Sequence, residues 1–318
     1  MIEVLIDDGS RQFYPVVLGN ATWSLERQGV PGKFEFLVLV DSNYPIQEGN
    51  RVCVFWNGTA FFYGFVFERK WSKDKEMKIT AYDQLRYLKN KDTYVYKNKT
   101  ADGVIRMIAE DFGLSVGELA STEFVIASRS ESDKTLFDII LTALDLTMVS
   151  TRKMYVLYDS YGKLTLTSIA DMKLNVAIFP DTAEDYDCSS SIDGDTYNQV
   201  KVSIDNEDSG KREIYIAKHS ENINAWGVLQ YYYQADKGVN GQATADSLLL
   251  QYNRKTKKLS VKNALGDVGV RAGCLIPVFL DLEDESLKNY MMVEKVTHTW
   301  EGEKYTMNLD LRGRDWIA

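Results

Sequence analysis

Histidine, cysteine and proline are scarce in this chain of 318 residues, which holds two, three and five of them. Neither His219 nor His298 stands in a metal-ligand spacing such as HExxH, so no zinc site is written into the sequence. Cys53, Cys188 and Cys274 are odd in number and far apart, which excludes a disulfide framework and suits folding in a reducing cytosol. No apolar run approaches the roughly 18 residues needed to cross a bilayer, so direct membrane insertion is not expected. The start, MIEVLIDDGSRQ, has neither a basic n-region nor an apolar h-region, and a cleaved secretory leader is not expected. A GxSxG elbow, a P-loop and a dinucleotide fingerprint are all missing. The net charge of -9 argues against a general nucleic-acid binder, because phosphate binding needs clustered cations. One local cluster, Lys255, Lys257 and Lys258, is read as helix-end cations that complement a dipole.

What is abundant is tyrosine, 19 residues of it, within a composition that is 45% hydrophobic and 26% charged. Such a balance is ordinary for a folded globular chain, and the length gives room for roughly two domains of about 150 residues. Tyrosine suits half-buried strands and interfaces where one edge stays wet.

Strands are expected at 3–6, 12–18, 22–26 and 33–40, separated by Gly, Asp and Asn. In KFEFLVLV the residues Phe34, Phe36, Val38 and Val40 share one parity, as a sheet with one buried face requires. Asn57-Gly58 is the strongest hairpin signal, with arms at 52–56 and 60–67. After Ile79, Ala81 and the short strand Tyr94-Val95-Tyr96, Thr100 is placed to cap a helix. Val104, Ile105, Ile108 and Phe112 fall on its inner face, and Gly113 ends it. A second helix is expected over 134–149, capped by Asp133 or Thr135, followed by a hairpin turning at 160–162. The acidic stretch 181–195, DTAEDYDCSSSIDGD, does not match an EF-hand loop and reads as an exposed connector. Strands then return at 198–204, 212–217 and 228–234, a third helix at 244–252, and strands at 258–261 and in three further runs to the end.

Two blocks look alike. Setting Gly49 of IQEGNRVCVFW on Gly273 of VRAGCLIPVFL also sets Val52 on Ile276, Val54 on Val278 and Phe55 on Phe279. Chance likeness between hairpins is the competing account; the preferred one is an internal duplication. The expected fold is α+β, mainly β, with two related small β-barrels each interrupted by an α/β insertion. Residues 1–92 and 174–192 form the first barrel and 93–173 its insertion; 193–238 and 264–318 form the second barrel, with a small insertion over 239–263. The exit from the second barrel is expected near 236–241.

Enzymatic readings find little support. Cys274 and His298 are a conceivable pair, but Cys274 lies in an apolar strand where a structural thiol is the simpler account, and His298 is read as an exposed strand residue. Glu118 and Glu123 resemble a glycosidase pair only in the sense that any two of 46 acidic residues do. Trp23, Trp56, Trp71 and Trp226 suit sugar binding if exposed and core or interface if not. No catalytic, cofactor-binding or metal-ligating residue is assigned.

In AYDQLRYLKNKDTYVYKNKTADGVIRMIAEDFG, in KTLFDIILTALDLTMVSTRKMYVLYDSYGKLTL and in SSSIDGDTYNQVKVSIDNE the chain resembles XkdQ-type baseplate hub proteins of prophages and phage-like contractile particles. That family is related to the central hub of contractile tails and, more distantly, to late control protein D and the hub part of type VI secretion spikes. The resemblance spans essentially the whole chain. It implies a structural, non-enzymatic protein, a homotrimer with two β-barrels per subunit, and a pseudo-six-fold ring between a six-fold tail tube and a three-fold spike. Implied partners are the tube or a tube-initiator protein, a separate spike protein and baseplate wedge proteins, with assembly in the host cytoplasm before incorporation into the particle. Since the chain ends at Ala318, soon after its last strand, the spike is expected on another polypeptide. A carbohydrate- or receptor-binding tail module and a cell-wall hydrolase are the rival readings.

Overall fold

The computed structural model describes residues 2–206, 211–235, 238–282 and 286–313. In chain order, β1 (Ile2–Asp7), β2 (Gln12–Phe13), β3 (Val17–Glu26), β4 (Lys33–Leu39), β5 (Arg51–Trp56), β6 (Thr59–Trp71) and β7 (Glu76–Tyr82) come first. Next come β8 (Lys91–Lys99), α1 (Ala101–Asp111), β9 (Val116–Leu119), β10 (Ile126–Thr135), α2 (Leu136–Thr151), β11 (Tyr155–Asp159) and β12 (Leu164–Ser168). β13 (Asp185–Ser191) precedes β14 (Gln199–Asn206), β15 (Lys211–Lys218), α3 (Ser220–Trp226), β16 (Gln230–Ala235) and α4 (Gly241–Tyr252). β17 (Thr256–Leu265), β18 (Leu275–Asp281), β19 (Ser286–Glu301) and β20 (Lys304–Gly313) close the chain.

The fold is mainly β and of the α+β class. Twelve strands make one sheet in the order β13-β17-β20-β19-β3-β4-β7-β6-β5-β1-β2, with β18 also on β19. Alternation does what it promised: Phe34, Phe36 and Val38 are buried on β4, while Val40, just past its end, is exposed. Asn57 and Gly58 both take positive φ, 48° and 80°, the turn whose twist matches its two strands. Trp300, Phe34, Phe36, Ile6 and Ile79 lie in a single core that runs through both halves of the sheet.

The blocks aligned on Gly49 and Gly273 fold alike down to single hydrogen bonds. Both glycines have positive φ, +86° and +96°. Gly49 N donates to Val66 O and Gly273 N to Val293 O, both at 2.8 Å; Val66 N donates back to Asn50 O and Val293 N to Cys274 O, both at 2.9 Å. β6 then slips register against β7 between Val66 and Glu68, and β19 slips against β20 between Val293 and Lys295. An extra residue at the same place in both copies is a built feature that chance likeness of hairpins does not produce. Pairing carries the match outward. Phe34 sits opposite Ala81 and Leu259 opposite Leu311, which superposes β17 on β4. Trp23 sits opposite Phe34 and Cys188 opposite Leu259, which superposes β13 on β3. The copies are joined edge to edge, because β3 of the first pairs with β19 of the second.

This register moves several expected boundaries. The connector at 181–195 contains strand β13, which pairs with β17 and so belongs with the second copy, not the first. Residues 193–238 were expected in the second barrel, but β14, β15 and β16 form their own three-stranded sheet, with α4 packed on it through Leu248 and Ala245. Residues 256–263, expected within an insertion, belong to a strand of the large sheet, Thr256–Leu265. Alternation marks a strand but not the sheet it joins, and β14 and β16 pair in parallel across a connection that includes α3, a helix the sequence reading did not foresee. The second insertion therefore splits its copy between the equivalents of β3 and β4. Of the exit expected near 236–241, residues 236 and 237 lie outside the described residues, and α4 begins inside the inserted sheet unit.

The first insertion is built as its caps suggested. Thr100 Oγ1 accepts from Gly103 N at 3.3 Å, and Val104, Ile105 and Ile108 are buried on α1. Gly113 follows in the left-handed region at φ +61°, although Phe112 is only half-buried. Thr135, and not Asp133, caps α2. The two helices share a core with β8, β9, β11 and β12.

Candidate functional site

Where the first copy, its insertion and the second copy meet, two buried carboxylates lie near a half-buried arginine that stacks on aromatic rings. Asp83, directly after β7, is buried and accepts from Gly32 N at 2.9 Å and Leu85 N at 3.0 Å. Asp159, at the end of β11, is buried as well and accepts from Gly162 N at 2.7 Å. Arg271, before β18, donates to the Asp159 main-chain oxygen at 2.6 Å and lies 4.3 Å over the Tyr158 ring. Gln84 ties the insertion back with two bonds to Ser115, each 3.0 Å. Burial pushes the Asp159 carboxyl up to about 6, against the pull of the Gly162 amide and the Arg271 charge. Burial also raises Asp83 well above the usual carboxylate range, and the Asp159 charge adds to it. These three residues, each from a different segment, were not foreseen as a group, although each lies inside a quoted stretch.

His298 is fully buried on β19, not exposed as its strand position suggested. Its Nε2 lies 2.9 Å from Val270 O and its Nδ1 2.8 Å from Tyr305 Oη. A carbonyl only accepts, so Nε2 carries the proton and Nδ1 accepts from the tyrosine. Burial, with the Arg271 charge beside it, takes the ring down to about 3. Both nitrogens are engaged, which leaves the ring nothing with which to move a substrate proton. Cys274 instead turns its thiol toward Gly269 O at 3.9 Å, so the conceivable Cys274–His298 pair is not brought together.

The other candidates scatter. Trp23 is buried against His298, with ring centres 4.9 Å apart, and Trp56 packs on Trp300 at 6.1 Å. Trp71 is 61% exposed. Trp226 ends α3, Glu118 lies on β9, and Glu123 pairs with Lys153 at 3.0 Å. Lys257 and Lys258 stand on β17 opposite Ser190 and Ser189, so they are strand cations and not a helix end. Among the described residues no group of three or more His, Cys, Asp or Glu is placed to hold a metal.

One group of exposed apolar side chains lies elsewhere. Tyr14, Val16, Leu39, Val40, Tyr44 and Trp71 are all exposed and line one cleft of about 330 Å³ beside the end of β6. Exposed apolar side chains grouped in this way are uncommon on a free surface.

The fold is shared with phage tail proteins. The 43 kDa tail protein of prophage MuSo2 from Shewanella oneidensis superposes with a TM-score of 0.72 over 99% of this chain and 100% of its own, at 14% identity. A type VI secretion component of E. coli, described as structurally similar to T4 bacteriophage tail proteins gp27 and gp5, gives a TM-score of 0.59 over 99% of this chain and 78% of its own, at 9% identity. In sequence, the phage-like element PBSX protein XkdQ of Bacillus subtilis (strain 168) is 34% identical over 274 residues, covering 84% of this chain and 82% of XkdQ. The YqbQ-like family model matches residues 21–312. The chain belongs to the YqbQ-like family.

Proposed function

We propose that this protein is a non-enzymatic baseplate hub subunit of a contractile phage tail or phage-tail-like particle. Three copies form a ring of six similar β-units, which joins a six-fold tail tube above to a three-fold spike below. The observation that carries this reading is the duplication itself, matched in hydrogen bonds and in the position of a bulge, since a subunit holding two equivalent units turns three-fold symmetry into approximate six-fold symmetry. The tail proteins that share the fold, and the PBSX relative in sequence, support it. Tube or tube-initiator, spike and wedge proteins are its partners, the chain assembles in the host cytoplasm, and it makes no contact with nucleic acid. The sugar-binding alternative loses Trp23, which is buried, and Trp56, which is packed on Trp300, and of its four tryptophans keeps Trp71 as an exposed one. Imaging of the assembled tail tests the proposal: this chain is expected in a three-fold ring between tube and spike, and its presence in a six-fold wedge or a peripheral fibre would overturn it.

A further inference from the structure

Inside one chain the two β-copies are sewn together by β3 and β19, with Trp23 opposite His298, Ser24 opposite Thr297 and Leu25 opposite Val296. The duplication makes a second such seam available, with β13 in the place of β3 and β6 in the place of β19. Cys188 takes the position of Trp23, because both stand opposite the matched residues Leu259 and Phe34. Trp71 takes the position of His298, because each is the third residue beyond the first one paired after the matched bulge, Glu68 or Lys295. These two strands cannot meet within one subunit in the way β3 and β19 do. β13 is the last strand of the sheet path, and beyond Val66 the strand β6 has β7 on one side only, among the described residues.

Burial at the two seams differs as an unfilled position should. His298 and Trp300 are 0% and 1% exposed under β3, whereas Trp71 is 61% exposed. The apolar cleft of Tyr14, Leu39 and Val40 borders this edge, where an arriving strand and its neighbours shield it.

Resting on the hub reading, we propose that β6 of each subunit pairs antiparallel with β13 of the next copy of this chain. The register sets Trp71 opposite Cys188, Lys70 opposite Ser189 and Arg69 opposite Ser190. The contact joins two different surfaces, so it runs head to tail; in the three-copy ring of the hub reading it closes on itself, and it hides both strand edges left open among the described residues.

The register is tested by disulfide trapping in assembled tail particles carrying Trp71→Cys. Residues directly opposite in an antiparallel pair have Cα atoms about 4.5 to 5.5 Å apart, within the range a disulfide spans. Mild oxidation is expected to move the chain into covalent trimer, reversibly by reductant, at least about five-fold more than with Ser72→Cys, whose side chain leaves the opposite face. Adding Cys188→Ser should abolish the product. If Trp71→Cys disturbs assembly, Lys70→Cys with Ser189→Cys, both on exposed positions, makes the same test. Particles that keep a three-fold ring of this chain yet cross-link with neither pair would overturn the register and leave the hub reading standing. Particles in which the chain forms no such ring would overturn both.

Discussion

Replacing His298 by glutamine isolates the titration of one buried group. In the native state the ring is held at about 3, against an ordinary value of 6.5, so it stays neutral where the unfolded chain takes up a proton. A base whose native value is depressed supplies stability that is present above its unfolded value and lost as pH falls toward the native one. Between pH 6.5 and pH 4 the loss is about 3 kcal/mol, at 1.36 kcal/mol for each pH unit. Asp159 runs the other way. Its carboxyl is raised to about 6 from 3.8, so its favourable contribution is complete below 3.8 and disappears as pH rises through 6. The two slopes oppose each other between pH 4 and 6 and flatten the wild-type profile. In His298→Gln the amide still donates to Val270 O, the Tyr305 hydroxyl loses its acceptor, and the variant should be weaker by about 1–3 kcal/mol at pH 7. At pH 4 that deficit should shrink by about 3 kcal/mol or reverse, because only the wild type then has a proton to exclude. Urea unfolding followed by tryptophan fluorescence reads the difference, since Trp23 and Trp300 both stack near the ring. A deficit equal at pH 7 and pH 4 would refute the assignment of His298 as a sealed neutral base.

Other consequences follow from the duplicated turn and from the first cap. Gly49→Ala meets no atom within 4 Å and should lose about 1–2 kcal/mol from its positive φ alone. Gly273→Ala carries the same strain and also sets a methyl 2.7 Å from Val156, so it should lose at least about 1 kcal/mol more; equal melting temperatures for the two variants would contradict this. Thr100→Ala should destabilise by about 1 kcal/mol, and an unchanged urea midpoint would remove the cap from the account.

Much of this architecture was legible where the signal is local. Asn57-Gly58 wrote its hairpin, Thr100 and Thr135 wrote their helix starts, and Gly49 and Gly273 disclosed the duplication because the same left-handed turn needs the same residue. What escaped depends on partners far away in the chain. DYDCSSS has few strand-forming residues, and β13 exists because β17, some 70 positions later, supplies its hydrogen bonds. His298 looked like any polar residue on an alternating strand. Only β3, paired to it from the other end of the chain, shows that it faces Trp23 in the core. Asp83, Asp159 and Arg271 have no spacing to recognise, since three separate segments bring them together. Trp71 was noticed for its chemistry, but its place at an unfilled seam could be seen only once the two copies were superposed.

The most direct test of the hub account is a cryo-electron-microscopy map of the intact tail at the level between tube and spike. The account expects three copies of this chain there, with their six β-units spaced at about 60° around the axis. A map showing this chain outside that ring, or three copies whose paired units depart from six-fold spacing, would contradict it.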